Sequence, residues 1–168
     1  MSTIAERLRS ITRRPDGKTD RGTLANLRRA LSTTTRHYAW PVLASIGLEI
    51  DDEDAVLVAA LYAEHPRHTD AKENLGNTWR QVYHKRKPGG GDQKDSYQTR
   101  FRRLISCDRN ELPDQLVAVV RLADDGEGVA INYNLLYQDL RFWGDAAKLR
   151  WAKQFYAVKD DEGGQEGQ

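Results

Sequence analysis

The sequence predicts an all-α fold of two small helical bundles joined by a flexible linker. Apolar residues recur with the period of an α-helix along most of the 168 residues. Segments that alternate apolar and polar residues, as strands do, are almost absent, and β-branched residues do not cluster. The composition, 39% hydrophobic and 30% charged, is typical of a globular domain and not of a disordered or membrane-spanning chain.

Three helices are predicted in the N-terminal half. The first follows Arg21, where leucines recur at i, i+3 and i+7. The second begins at the four acids 51–54, which suit the positive end of a helix dipole, and it stops at Pro66. The third surrounds Trp79. The apolar positions of the first and third helices are Leu24, Leu27 and Leu31, and Leu75, Trp79, Val82 and Tyr83.

Four helices are predicted in the C-terminal half. The first begins near Ser96, a candidate N-cap residue, and the second tolerates Pro113 in its first turn. The last two cover residues 132–143 and 145–158 and are joined at Gly144. The inward positions of the first two are Tyr97, Phe101, Leu104 and Ile105, and Leu112, Leu116, Val119 and Val120.

The clearest break in the helical pattern is the segment KRKPGGGD, residues 85–92. Pro88 and the glycines Gly89–Gly91 are costly inside a helix, so this segment is predicted to be a flexible loop. A phosphate-cradling loop is excluded because no Lys-Ser or Lys-Thr follows and no strand precedes it. The predicted divisions are an N-terminal bundle over 1–88, a C-terminal bundle over 93–159 and a disordered acidic tail over 160–168.

Residues with catalytic or metal-binding chemistry do not form a recognisable motif. His65 and His68 flank Pro66 and have no further ligand at a suitable spacing. The acids 51–54 indicate a helix start rather than a divalent-ion site. Cys107 has no histidine near it in sequence, and a single cysteine suits a reducing cytoplasm. We therefore expect a cytoplasmic protein that is not an enzyme and needs no metal or cofactor.

Arginine at helical spacing is the chemistry that remains. The net charge of +1 conceals blocks of opposite sign: residues 1–36 carry nine bases and three acids, whereas residues 49–73 carry two bases and eight acids. If the helix that begins at Arg21 continues as far as Arg36, one arc beside the leucine stripe contains four arginines: Arg21, Arg28, Arg29 and Arg36. Such a row can meet successive phosphates, because guanidinium pairs bidentately with phosphate oxygens. Salt bridges to the acids around residues 49–54 are the alternative.

A second group of cations surrounds Phe101. Arg100 and Arg103 lie about 60° apart on one flank of the helix predicted there, while Phe101 faces inward. The closing hairpin, residues 131–156, interleaves aromatic residues with Arg141, Lys148 and Arg150. Its wheel geometry predicts that Trp143, Trp151 and Phe155 pack between helices or subunits rather than stack on bases.

Four stretches in this order carry a resemblance to a known family: RGTLANLRRAL, RFRRLISCDR, LPDQLVAVVRLA and INYNLLYQDLRFWGDAAKLRWAKQFY. With the chain length, they resemble the CasB family, the small subunit of the type I-E CRISPR Cascade complex. The resemblance implies two helical bundles, no catalytic activity, and two copies placed head to tail. It also implies contact with the other Cascade subunits, the guide RNA and the target DNA, and stabilisation of the displaced strand of the R-loop.

The resemblance also selects site residues. Arg28 and Arg29 match the family's N-terminal basic pair, and basic positions of its C-terminal bundle correspond to Arg100, Arg121 and Lys148. Helix geometry alone adds three neighbours: Arg103, Arg141 and Arg150. These eight residues are the predicted nucleic-acid contacts. A helical adaptor that touches only protein is the alternative function.

Overall fold

The computed structural model describes residues 1–85, 91–125 and 128–157, and within them it confirms the all-α prediction, with no strand. Of the loop predicted over residues 85–92, residues 86–90 lie outside the described residues, as does the predicted tail at 160–168. The loop prediction was wrong for Lys85, Gly91 and Asp92, which belong to helices. In the described ranges, nine α-helices follow in order: α1 Ile4–Thr12, α2 Arg21–Arg28, α3 Trp40–Ser45, α4 Glu53–Glu64, α5 Leu75–Lys85, α6 Gly91–Ser106, α7 Leu112–Asp124, α8 Tyr133–Arg141 and α9 Asp145–Phe155.

Short polar side chains start several of these helices. Asp52 caps α4 by accepting from the Ala55 amide at 3.1 Å, which confirms that the acidic run begins a helix. Asp20 and Asn132 cap α2 and α8 in the same way. Helices α1 and α3 were not predicted. The signal for α1 is the capping box formed by Thr3 and Glu6, in which each side chain accepts from the other's amide.

The helix predicted to run from Arg21 towards Arg36 is shorter in the structure. It ends at Arg28, and residues 29–31 continue as a 3-10 turn. The Thr35 hydroxyl donates to the Arg29 carbonyl at 2.8 Å, so a side chain competes with the helical hydrogen bond there. Arg36 therefore does not extend the arginine row of α2. At the other break, α6 begins at Gly91 rather than at Ser96.

Helices from both sides of residues 86–90 share one hydrophobic core. Helix α4 packs against α7 and α8, and α5 packs most closely against α9. Leu61, Trp79 and Trp151 are fully buried in that core. The division into bundles at 1–88 and 93–159 stays a prediction.

Helices α5 and α9 meet backbone to backbone at Gly76. A β-carbon built at Gly76 would lie 2.0 Å from the carbonyl oxygen of Trp151, so only glycine fits there. This close approach fixes the position of α9, which carries Lys148 and Arg150. None of the helices in the described part of the chain is both long enough and apolar enough to cross a bilayer.

Candidate nucleic-acid interface

Helix α6 carries an exposed basic face beside its apolar core face. Phe101 and Leu104 are fully buried, and the Phe101 ring stacks on Phe155 with centroids 4.1 Å apart. Arg100 and Arg103 lie about 100° and 160° from Phe101 on the helix, and both are exposed. The same packing that buries the apolar face thus points both guanidinium groups towards solvent.

Lys148 of α9 joins this basic face at the C-terminal end of α6. Its Nζ donates to the carbonyl of Cys107 at 3.4 Å. Cys107 is buried just beyond the end of α6, one turn after Arg103, so this contact places half-buried Lys148 near the C-terminal end of the helix. We call Arg100, Arg103 and Lys148 the α6 row. Among the described side chains, those of residues 1–85, 96–125 and 128–157, no carboxylate lies within 4.0 Å of these three cations.

Arg121, in contrast, already has a carboxylate partner. Its Nε and Nη2 donate to the two oxygens of Glu64 at 3.2 and 3.1 Å. These hydrogen bonds raise the pKa of the Arg121 guanidinium. The side chain is still 61% exposed, so the pair lies at the surface between α7 and α4.

Arg150 and Trp151 share one buried acceptor. The carboxylate of Asp139 accepts from Arg150 Nη2 at 3.0 Å and from the indole nitrogen of Trp151 at 2.8 Å. Trp151 is fully buried, and its ring packs 4.8 Å from that of half-buried Trp143. The packing role predicted for these two tryptophans and for Phe155 is confirmed. Fully buried Trp151 is not available for stacking on a base.

The remaining three predicted arginines also have intramolecular contacts. Arg28 Nε donates to the Ala63 carbonyl at 3.0 Å, and Arg141 Nη1 donates to the Tyr137 hydroxyl at 3.1 Å. The guanidinium carbon of Arg29 lies 4.4 Å from the ring centroid of Tyr38. Helix α2 packs against α1, α3 and α4, whereas α6 packs against α5, α7 and α9. The structure therefore does not join Arg28 and Arg29 to the α6 row.

Two of the acids at residues 51–54 have side-chain partners, and neither partner is one of the α2 arginines of the alternative interpretation. Asp52 accepts from the Tyr137 hydroxyl, and Asp54 pairs with Arg109. Burial, followed by the hydrogen bond to Asp52, raises the pKa of Tyr137. Arg109 also donates to the Leu140 carbonyl at 2.9 Å, so it ties α4 to the end of α8.

His65, His68 and Cys107 have structural contacts within the chain. The ring nitrogens of buried His65 lie 2.8 Å from the Asp124 carboxylate and 2.6 Å from the Val129 carbonyl. His68 lies 2.8 Å from Asp70. Within residues 1–85, 91–125 and 128–157, no three metal-binding side chains gather. Cys107 is buried, which raises the pKa of its thiol.

A second exposed basic group was missed by the sequence analysis. The segment RHYAW, residues 36–40, interleaves a cation with aromatic rings in the same way as the closing hairpin. The structure exposes Tyr38 and Trp40 at 47% and 38%, beside Arg36. The pattern of residues 36–40 could have been recognised from the sequence, but the helix was predicted to continue through Arg36.

Comparison with known proteins gives a consistent result. The family model of CRISPR-associated protein Cse2 matches residues 23–156. The crystal structure of CasB from M. ruber is 24% identical, with a TM-score of 0.63 over 89% of this chain and 92% of that chain. CasB from Thermus thermophilus is 23% identical, with a TM-score of 0.65 over 92% and 96%.

A further crystal structure from Thermus thermophilus, of a CRISPR-associated protein of the Cse2 family, is similar as well. It is 24% identical, with a TM-score of 0.66 over 94% of this chain and all of that chain. A search of curated proteins finds no match. At these identities the solved structures support the fold, and the family model supports the family.

Proposed function

The chain belongs to the CRISPR-associated Cse2 family, whose members are Cascade subunits, and from this membership we propose that it binds nucleic acid through the α6 row. In this proposal it is a non-catalytic subunit that holds the backbone of the guide RNA and target DNA and stabilises the displaced strand. Its partners are the other Cascade subunits and a second copy placed head to tail.

The observation that carries this proposal is that the three cations of the α6 row, which lie on two helices, lack ion-pair partners among the described side chains. A phosphate backbone supplies the missing negative charges at regular spacing, and each contact releases a counterion. Guanidinium and ammonium groups on the surface contact the charged phosphates and not the base edges. We therefore expect binding that is largely independent of nucleotide sequence.

The other five predicted contacts differ in how much charge they keep for a phosphate. Each of these five residues uses part of its guanidinium group in a contact within the chain: Arg28, Arg29, Arg121, Arg141 and Arg150. A guanidinium has five N–H donors, so each keeps donors for a phosphate. We expect Arg121 and Arg150 to add less affinity than the α6 row, because each is already paired with a carboxylate. Arg28, Arg29 and Arg141 contact uncharged groups, as Lys148 does, and keep their full charge.

Salt titration tests the proposal. The variant Arg100→Gln, Arg103→Gln, Lys148→Gln removes the α6 row. The control variant Arg9→Gln, Arg13→Gln, Lys18→Gln removes three exposed cations near α1. Binding of labelled single-stranded DNA is measured at three salt concentrations. At about 0.7 per neutralised phosphate of a single strand, the slope of log affinity against log salt should become shallower by roughly 2 in the first variant only.

Two outcomes contradict the proposal. Equal slopes for the two variants place the binding cations elsewhere on the chain. Unchanged R-loop stability, together with loss of the α6-row variant from the assembled complex, identifies the helical adaptor instead. Circular dichroism of both variants checks that the helices are intact.

A further inference from the structure

The exposed rings at the start of α3 form one continuous cluster. The His37 ring lies 4.4 Å from that of Tyr38 and 6.4 Å from that of Trp40, centroid to centroid. All three side chains are exposed, although the neighbouring Ala39 is fully buried. A large aromatic residue left at the surface beside other rings is available to a ligand that has a flat apolar face.

A cavity of about 300 Å³ opens beside this cluster. Trp40 lines it together with apolar side chains of α4, α7, the 3-10 turn after α2 and the segment before α4, including Leu57, Leu31 and Ile50. A volume near 300 Å³ is at the small end of ligand pockets, so the cavity suits one planar ring rather than an extended molecule.

The charges around the cavity suit a nucleotide. Arg36 lines it and is exposed, and the guanidinium of Arg29 lies over the Tyr38 ring nearby. In the part of the chain that the structure describes, neither guanidinium has a carboxylate within 4.0 Å. Glu53 is the exposed acid of the wall, and a carboxylate there can accept from the amino group of a base.

We propose that this cavity takes one unpaired base of a single-stranded nucleic acid, stacked on Trp40, with the adjoining phosphates held by Arg36 and Arg29. Aromatic platforms beside cations are how single strands are bound without sequence preference. An apolar helix of a protein partner would cover Trp40 and Ile50 but would leave both guanidinium groups without counter-charges. The inference rests on the proposed function to the extent that both require nucleic acid.

The test separates stacking from charge by means of an abasic strand. Fluorescence anisotropy at low salt follows the full-length protein with labelled oligo(dT), oligo(dC), oligo(U) and an abasic strand of equal length. The abasic strand has the same phosphates and no bases. We expect wild type to bind the strands with bases more tightly than the abasic strand by roughly 5- to 150-fold, the range of a stacked base. The oligo(dT) and oligo(U) arms distinguish a DNA ligand from an RNA ligand.

Variants assign the effect to the cavity. Trp40→Ala should abolish the preference for bases over the abasic strand, while Trp40→Phe should restore much of it. The control Phe142→Ala removes a side chain that is 76% exposed at the α8–α9 connection and should change nothing. Thermal unfolding of all three variants checks that each is folded.

Three results overturn the inference, and they differ from failure of the proposed function. If wild type binds abasic and base-containing strands with equal affinity and a steep salt dependence, stacking in the cavity is excluded. The proposal that the α6 row binds phosphates is not affected by that result. A preference that survives Trp40→Ala places the stacking elsewhere. If Trp40→Ala instead leaves the nucleic-acid binding of wild type unchanged and releases a Cascade protein subunit, the cavity is a protein-docking groove. If wild type shows no salt-dependent binding of nucleic acid at all, both proposals are refuted.

Discussion

Replacing Gly76 with alanine should destabilise the protein, although alanine is the better helix former. Gly76 lies in α5, and the added β-carbon would lie 2.0 Å from the Trp151 carbonyl oxygen and 2.8 Å from its carbonyl carbon. Contacts become ordinary at 3.4 Å, so α5 and α9 must separate by about 1.4 Å at this point. The obstacle is helix backbone, which cannot rotate away as a side chain can.

Two effects of opposite sign set the magnitude. Alanine gains about 1 kcal/mol over glycine in a helix interior. Overpacking of a buried contact typically costs about 1–3 kcal/mol and sometimes more, and the backbone clash places Gly76→Ala at or above the upper end. We expect a net loss of about 2 kcal/mol, which for a domain of this size lowers the melting temperature by roughly 4–8 °C.

Urea and thermal unfolding followed by circular dichroism measure this loss. Gly22→Ala is the matched control, because Gly22 is also helical but exposed, and its β-carbon would approach only the Asp20 side chain, at 3.5 Å. That control should unfold like wild type or be more stable by up to about 1 kcal/mol. Equal stability of the two variants would refute the backbone-to-backbone contact of α5 with α9.

Three further changes test the packing. Asp139→Ala leaves the buried indole N–H of Trp151 without its acceptor and should cost about 1–3 kcal/mol in urea unfolding; a cost near zero contradicts the buried hydrogen bond. Arg121→Gln breaks an exposed ion pair with Glu64 and should cost no more than about 1 kcal/mol by the same assay. Burial raises the pKa of the Cys107 thiol above its ordinary value of 9.0, so native protein at pH 8 should react slowly with a disulfide reagent, and urea should accelerate the reaction. Because the folded pKa is the higher one, the associated stability is complete below the unfolded pKa and is lost as the pH rises through the folded pKa, which thermal unfolding at rising pH will show.

Patterns local in sequence predicted most of the fold. The acids at 51–54 and the proline at 66 bracket α4, because both ends of a helix have local signals. Acids favour the positive N-terminal end of the helix dipole, and proline lacks the N–H that would continue the helix. Trp151 was correctly assigned to packing, because a helix with two apolar faces lies between neighbours. The end of α2 was missed, since the competing hydroxyl of Thr35 acts on a carbonyl six residues earlier.

The state of each basic residue could not be predicted, because it depends on partners distant in sequence. Glu64 reaches Arg121 across 57 positions, and the carbonyl that binds Arg28 is 35 positions away. Helical spacing places an arginine on a surface but does not say what faces it. Arg100 and Arg103 differ from Arg121 only through the tertiary arrangement of α4 and α7, which the sequence does not reveal.

The pairing of α5 with α9 also has a consequence for biosynthesis. About 60 residues separate Lys85, where α5 ends, from Asp145, where α9 begins, and at roughly 5–20 residues per second these take about 3–12 seconds to synthesise. During that interval the face of α5 that packs against α9 is uncovered. The nascent chain therefore exposes an apolar helix face to chaperones or to neighbouring chains until α9 has been synthesised. Slower translation at low temperature lengthens that exposure.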